Sequence, residues 1–351
     1  MATATIVGGG TVNLSLDGRE AALAQQALFA AGQGFSTGYV LDSLSDPAPP
    51  GSFDVYNVRP GSSGGFPGFP GFPGFPGFPG FPGFPGGNTY TLPTGGEALV
   101  AYGNQSVQLI GHTGQELLIG NGGSDTINAA GGSGTIIAGP GFDDQISLNY
   151  AGQAGGSQFI VTGPNQASIN MWGGSATIEG GSSGSGPFGL FDNNDKVNVF
   201  SGDNTVVGLS ALDVVVYGGQ NTLNLSSGSS AYLLGGDDTV TLKGNDTVVY
   251  GLGDIVKTQG TATVQSSGAG VTVQFGSGAG SVVAGTGSST LIGGSGNDAF
   301  VAGFGSTSMV GGSARNTFVG GLGHDTMVAA GTHNEFTFLN PLSGGTHVIE
   351  N

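Results

Sequence analysis

Residues 293–301 read GGSGNDAFV, and residues 320–328 read GGLGHDTMV. They belong to a register that runs from Phe275 without insertion: FGSGAGSVV, AGTGSSTLI, GGSGNDAFV, AGFGSTSMV, GGSARNTFV, GGLGHDTMV and AAGTHNEFT. The eighth position is always apolar, as Val282, Leu291, Phe300, Met309, Phe318, Met327 and Phe336. The second is glycine until Ala330, and the fourth is glycine in most blocks. A second array covers Tyr102 to Ile146 (YGNQSVQLI, GHTGQELLI, GNGGSDTIN, AAGGSGTII, AGPGFDDQI), and between the two the pattern persists irregularly. Each block reads as a glycine-rich turn followed by a very short strand, the glycines supplying positive φ and close backbone approach. Two blocks would close one turn of about 18 residues, and turns would stack as parallel strands at about 4.8 Å with the eighth side chains inside. The expected fold is all-β: a parallel β-roll or β-solenoid, regular at 102–146 and 275–337.

The blocks at 293–301 and 320–328 match the nonapeptide Gly-Gly-x-Gly-x-Asp-x-apolar-x in full, and GNGGSDTIN at 120–128 misses it by one residue. In these arrays the chain resembles the RTX, or hemolysin-type calcium-binding, repeat proteins of bacteria; residues 1–100 lie outside the resemblance. It implies a parallel β-roll that binds Ca²⁺ in its turns through the Asp, here Asp298 and Asp325, and turn carbonyls. It also implies type I secretion without an N-terminal signal.

In a two-block turn an ion sits between rungs on one side, so ligands must recur every second block. In the C-terminal array one side then carries Asp298, Asn316 and Asn334, and the other Ser289, Thr307 and Asp325. No carboxylates stack, so this array reads as mostly metal-free, held by side-chain hydrogen bonds between rungs. In the N-terminal array Asp125 and Asp143 hold the sixth position two blocks apart, with Asp144 adjacent, which makes them the first candidate calcium site. A middle cluster of Asp237, Asp238, Asp246 and Asp254 is the second.

Outside the arrays, residues 1–60 read as a strand and helix segment that caps or joins. Asp17 and Glu20 have capping-box spacing, Leu23, Ala24, Ala27, Leu28 and Ala31 follow at helical spacing, and Gly32 closes the helix. Within 61–89, Gly65–Pro85 is seven Gly-Phe-Pro triplets. Proline at every third position forbids helix and sheet, so the run is extended and PPII-like, reaching roughly 65 Å. A spacer, an association loop and a collagen-like triple helix all fit that pattern. Phe66, Phe69, Phe72, Phe75, Phe78, Phe81 and Phe84 are the candidate self-association residues. The solenoid spans 90–338, and 339–351 is a strand-like tail.

Composition narrows function. The 351 residues include 74 glycines, 23 acids, 6 bases and no cysteine, for a formal charge of −17. Disulfide scaffolds and thiolate metal sites need cysteine, and nucleic-acid binding needs a basic face. No apolar stretch is long enough to span a membrane, and no Sec-type signal is visible. His112, His324 and His333 fall in turns facing solvent, and no triad or His-x-x-x-His spacing exists. Trp172 reads as a buried rung aromatic. These features predict a non-enzymatic, secreted or cell-surface structural protein that self-assembles into filaments or a matrix such as a biofilm, with Ca²⁺ as stabiliser. A calcium-dependent adhesin or a module binding cell-surface polysaccharide is the alternative.

Overall fold

This computed structural model describes residues 2–16, 18–42, 44, 49, 51–60, 88–95, 97–141, 143–148, 156–163, 165–179, 195–200, 203–208, 212–244, 246–250, 253–266, 268, 270–338 and 345–350. The chain is nearly all β, a β-solenoid of parallel stacked sheets with a single short helix. It divides into two compact units, one of residues 1–147 and 161–167, the other of 148–160 and 168–351.

In the first unit, an antiparallel hairpin (Ala2–Thr5 with Thr11–Leu14) precedes the helix Gly18–Ala31. The parallel rungs then begin, with Gly38–Leu41 pairing Phe53–Val58, which pairs Ala98–Ala101 and so Gln115–Ile119 and Ser133–Ile137. The rungs therefore start ahead of the Gly-Phe-Pro run. On either side of that run, Tyr90 Oη donates to Arg59 O at 3.3 Å. The candidate phenylalanines lie outside the described residues.

The helix buries only Glu20, Ala24 and Leu28, one residue per turn along a narrow stripe. It packs against the hairpin and the strands 115–119 and 133–137, so it covers the flank of the rungs. In the same sheet every residue of Phe53–Val58 and Ala98–Ala101 is buried, Asp54 and Asn57 included, so these strands are covered on both faces.

In the second unit the strands alternate buried and half-buried residues, and among the described residues no element packs over their outer faces. The C-terminal array keeps the expected register, Ser289↔Thr307↔Asp325 on one sheet and Ala299↔Thr317↔Glu335 on the other. The irregular middle consists of shorter turns, with ladder partners 17 or 16 residues apart rather than 18. The eighth positions form the core: Leu291, Met309 and Met327 in one column, Phe300 and Phe318 stacked at 5.3 Å in the other, all fully buried.

The glycines of the C-terminal array serve a purpose other than positive φ. A Cβ on Gly312 would lie 1.5 Å from Gly294 O, so these positions need glycine because successive turns stack backbone on backbone.

Candidate functional site

The sixth position of each block carries the polar chemistry, and it points inward. Asp298 is 2 % exposed; its Oδ1 accepts from Gly280 N one rung back at 2.8 Å, and its Oδ2 from Gly294 N four residues back at 2.8 Å. Asp325 does the same with Thr307 N and Gly321 N, and Asp125 with Val107 N and Asn121 N. Asn316 Oδ1 accepts from Asp298 N, and Asn334 Oδ1 from Asn316 N. Each such side chain ties its own turn and the preceding rung together, satisfying N–H groups that the narrow core would otherwise orphan.

Asp and Asn are not equivalent here. Where Asp stands, the turn aims an N–H at it. Where Asn316 stands, its Nδ2 instead donates to Gly312 O at 3.1 Å and Ala314 O at 2.9 Å. The choice between carboxylate and amide records which end of a turn peptide faces inward.

The candidate calcium ligands distribute across this scheme. In the N-terminal array the partner of Asp125 is Asp144, not Asp143: Asp144 is 2 % exposed and its Oδ1 accepts from Asp125 N at 2.8 Å. The turn is one residue longer, 19 between partners, which pushes Asp143 into solvent at φ 58°. Ile146, apolar at the ninth rather than the eighth position of its block, carries that slip in the sequence. The middle cluster separates. Asp238 and Asp254 are successive members of one ladder, Asp246 belongs to the other, and Asp237 is exposed. Asp246 also accepts from Gly244 N at 3.0 Å.

These carboxylates do not fit a cation site. Asp125, Asp246, Asp298 and Asp325 each face two backbone N–H dipoles, whose positive ends would oppose Ca²⁺. Asp238 Oδ2 is buried without a hydrogen-bond partner, but among the described residues no three Asp, Glu or His side chains gather to hold a metal. Burial raises the Asp238 and Asp298 pKa values against the N–H bonds that lower them, and raises Asp125, with Asp144 adding repulsion, to about 7.

Further ladder members carry no aspartate signature in a nonapeptide. Asp54 N donates to Glu97 Oε2 at 2.9 Å, and His112 N to Glu116 Oε2 at 2.9 Å. Asn204, Asn221 and Ser229 extend the ladders of the second unit. Glu116 holds a sixth position and was findable by register; the others lie where the period departs from nine. Asp325 is followed on its ladder by His347, whose Nδ1 lies 3.1 Å from Asp325 Oδ2.

A cavity of about 580 Å³ in the first unit is lined by Ala27, Ala31, Phe35, Glu97, His112 and Glu116, among others. Burial raises the Glu97 pKa, with Asp54 adding repulsion. Each titratable group in it holds a backbone N–H, His112 Nδ1 accepting from Gly114 N at 2.8 Å.

Trp172 is half-buried at a turn corner of the second unit, not inside a rung. It stacks on Phe200 at 4.9 Å, and Phe200 on Tyr217 at 5.2 Å with 6° between planes. Leu234 continues the column, 62 % exposed. The rings cover one another's faces and show solvent their edges, a poor platform for sugar stacking.

Compared with protein-family models, curated proteins and solved structures, the chain matches none. Among the described residues no helix is long and apolar enough to cross a membrane.

Proposed function

We propose that the chain is an extracellular structural protein that self-associates laterally into filaments or a surface matrix. The reading is supported by one observation above all, the exposed apolar columns at the turn corners of the second unit. Tyr217 and Leu234 are 50 % and 62 % exposed on successive rungs, and Phe304 and Leu322 form a second such column at 69 % and 40 %. Apolar side chains exposed on successive rungs suit side-to-side packing, because neighbouring rungs add like contacts. An interior held by side-chain to backbone ladders suits a passive scaffold. Secretion outside the cell rests on the repeat resemblance. Calcium enters only as a counter-ion to the −17 charge at surface carboxylates such as Asp143 and Asp237.

The test is sedimentation and negative-stain microscopy of the full chain, with calcium and with excess chelator. Ordered assemblies in both conditions, lost in the Leu234→Lys, Phe304→Lys double variant with circular dichroism unchanged, are expected. Dispersed monomers at all concentrations would sink the reading.

A further inference from the structure

One outer face of the second unit carries hydroxyls in strict register. Strand pairing aligns Ser175, Thr205, Thr222 and Thr239 on four successive strands. After a break at Ile255 and Lys257, it aligns Thr272, Thr290, Ser308 and Thr326 on four more. Two residues further along each strand, the outward column reads Thr177, Val207, Asn224 and Thr241 in the first run. In the second it reads Gln274, Ile292, Val310 and Val328. Neither run holds a charged side chain, in a chain whose formal charge is −17.

The opposite sheet of the same unit carries one such run, Ser230, Thr247, Thr263 and Ser281 on four successive strands, against two on this face. Its column is bounded by Lys196 and Asp213 on one side and, beyond Ala299 and Thr317, by Glu335 on the other, and its Asn198 amide donates to Asn170 Oδ1 at 2.9 Å. In the first unit the strands Phe53–Val58 and Ala98–Ala101 are buried on both faces.

Threonine's strand propensity and cross-strand Thr pairing account for hydroxyl columns in general. They do not account for a column whose hydroxyls are left unused. All eight side chains are exposed or half-exposed, and none of their hydroxyls bonds another protein group among the described residues. Rungs about 4.8 Å apart and alternate residues about 6.7 Å apart along each strand make a near-rectangular grid of hydroxyls and methyls. Both repeats lie close to oxygen–oxygen repeats in the planes of hexagonal ice.

We propose that this face binds crystalline water, so that the protein adsorbs to ice and restrains its growth. Three occupants compete for such a surface, and the chemistry separates them. A second copy packed dry against it would desolvate eight unpaired hydroxyls at a cost. A polysaccharide would match the grid in one direction only, and the two runs offer no aromatic face to stack a sugar. A water lattice satisfies every hydroxyl, rests its cages on the Thr, Val and Ile methyls, and matches both directions. The absence of charge fits, since ions hold disordered liquid water. The inference is independent of the lateral association proposed above, which uses the turn corners.

The experiment is ice recrystallisation inhibition and thermal hysteresis on the purified full chain. Variants Thr222→Lys and Thr290→Lys place one cation in each run, and Val215→Lys, on the opposite sheet near Asp213 and outside its hydroxyl run, is the control. The wild type is expected to shape ice crystals and to show hysteresis. Each run variant should lose most of it at unchanged circular dichroism, and the control should keep it. Absence of ice shaping by the wild type would overturn the proposal. So would equal loss in Val215→Lys, or retention on insoluble cellulose or chitin without any effect on ice.

Discussion

Exchanging Asn316 for aspartate leaves the number of heavy atoms unchanged and alters the volume hardly at all, yet the ladder geometry makes it destructive. Asn316 is fully buried, and its Nδ2 donates to Gly312 O, Ala314 O and Asn334 Oδ1. In Asn316→Asp both carbonyls lose their donor and face an oxygen instead. With about 1–3 kcal/mol for each buried polar group left unsatisfied, the two carbonyls together cost about 2–6 kcal/mol. Repulsion between the introduced carboxylate and those carbonyl oxygens adds to this at neutral pH. Burial and the carbonyls both disfavour the anion, so the introduced carboxyl has a folded pKa above its unfolded value. Its contribution is therefore least harmful below the unfolded pKa, and stability falls as pH rises through the folded pKa. The reciprocal Asp298→Asn retains Oδ1 for Gly280 N but turns an amide against Gly294 N, a loss of about 1–3 kcal/mol. Solenoids unfold rung by rung, so the assay is hydrogen exchange of peptides spanning 293–319, corrected for intrinsic rates and measured at pH 5 and pH 8. Protection should fall most in Asn316→Asp at pH 8, less in the same variant at pH 5, and by an intermediate or smaller amount in Asp298→Asn at both. Wild-type protection in Asn316→Asp at pH 8 would refute the assignment of amide and carboxylate to turns of opposite peptide orientation.

Two further outcomes follow from the interior. The raised pKa of Asp125, about 7 against an ordinary 3.8, means the folded first unit holds a proton that the unfolded chain releases. Stability there should be greatest below pH 4 as far as this group is concerned and decline as pH rises to 7, by about 4 kcal/mol at most, read as faster exchange of the 107–128 amides at pH 8 than at pH 5 after intrinsic correction. Phe300 is fully buried and stacked on Phe318, so Phe300→Ala should cost about 3–5 kcal/mol, seen as loss of protection in the neighbouring rungs while strands 195–216 keep theirs.

The solenoid itself was legible because its period is simple. An apolar residue at every eighth position over seven blocks can bury itself only if successive blocks stack, and glycine at the second position permits backbones to stack closely. The helix was legible from its spacing, and the columns Asp298–Asn316–Asn334 and Ser289–Thr307–Asp325 from counting. Sequence spacing also placed Asp143 beside Asp125, and there it failed by one residue. A strand reverses its faces with each one-residue slip; Ile146 at the ninth position marks that slip, and the pairing of the rungs sets Asp144 inward and Asp143 outward. The role of the carboxylates was beyond counting for a related reason. An aspartate in a turn reads the same whether its oxygens face a cation or backbone N–H groups, and that is decided by peptide orientation, which leaves no mark on composition. The hydroxyl face was hidden in turns of 16, 17 and 18 residues. Thr205, Thr222 and Thr239 share no nonapeptide register with Thr272 and Thr290. What aligns them is hydrogen bonding between strands, which keeps neighbours in step while the loops absorb the difference in length.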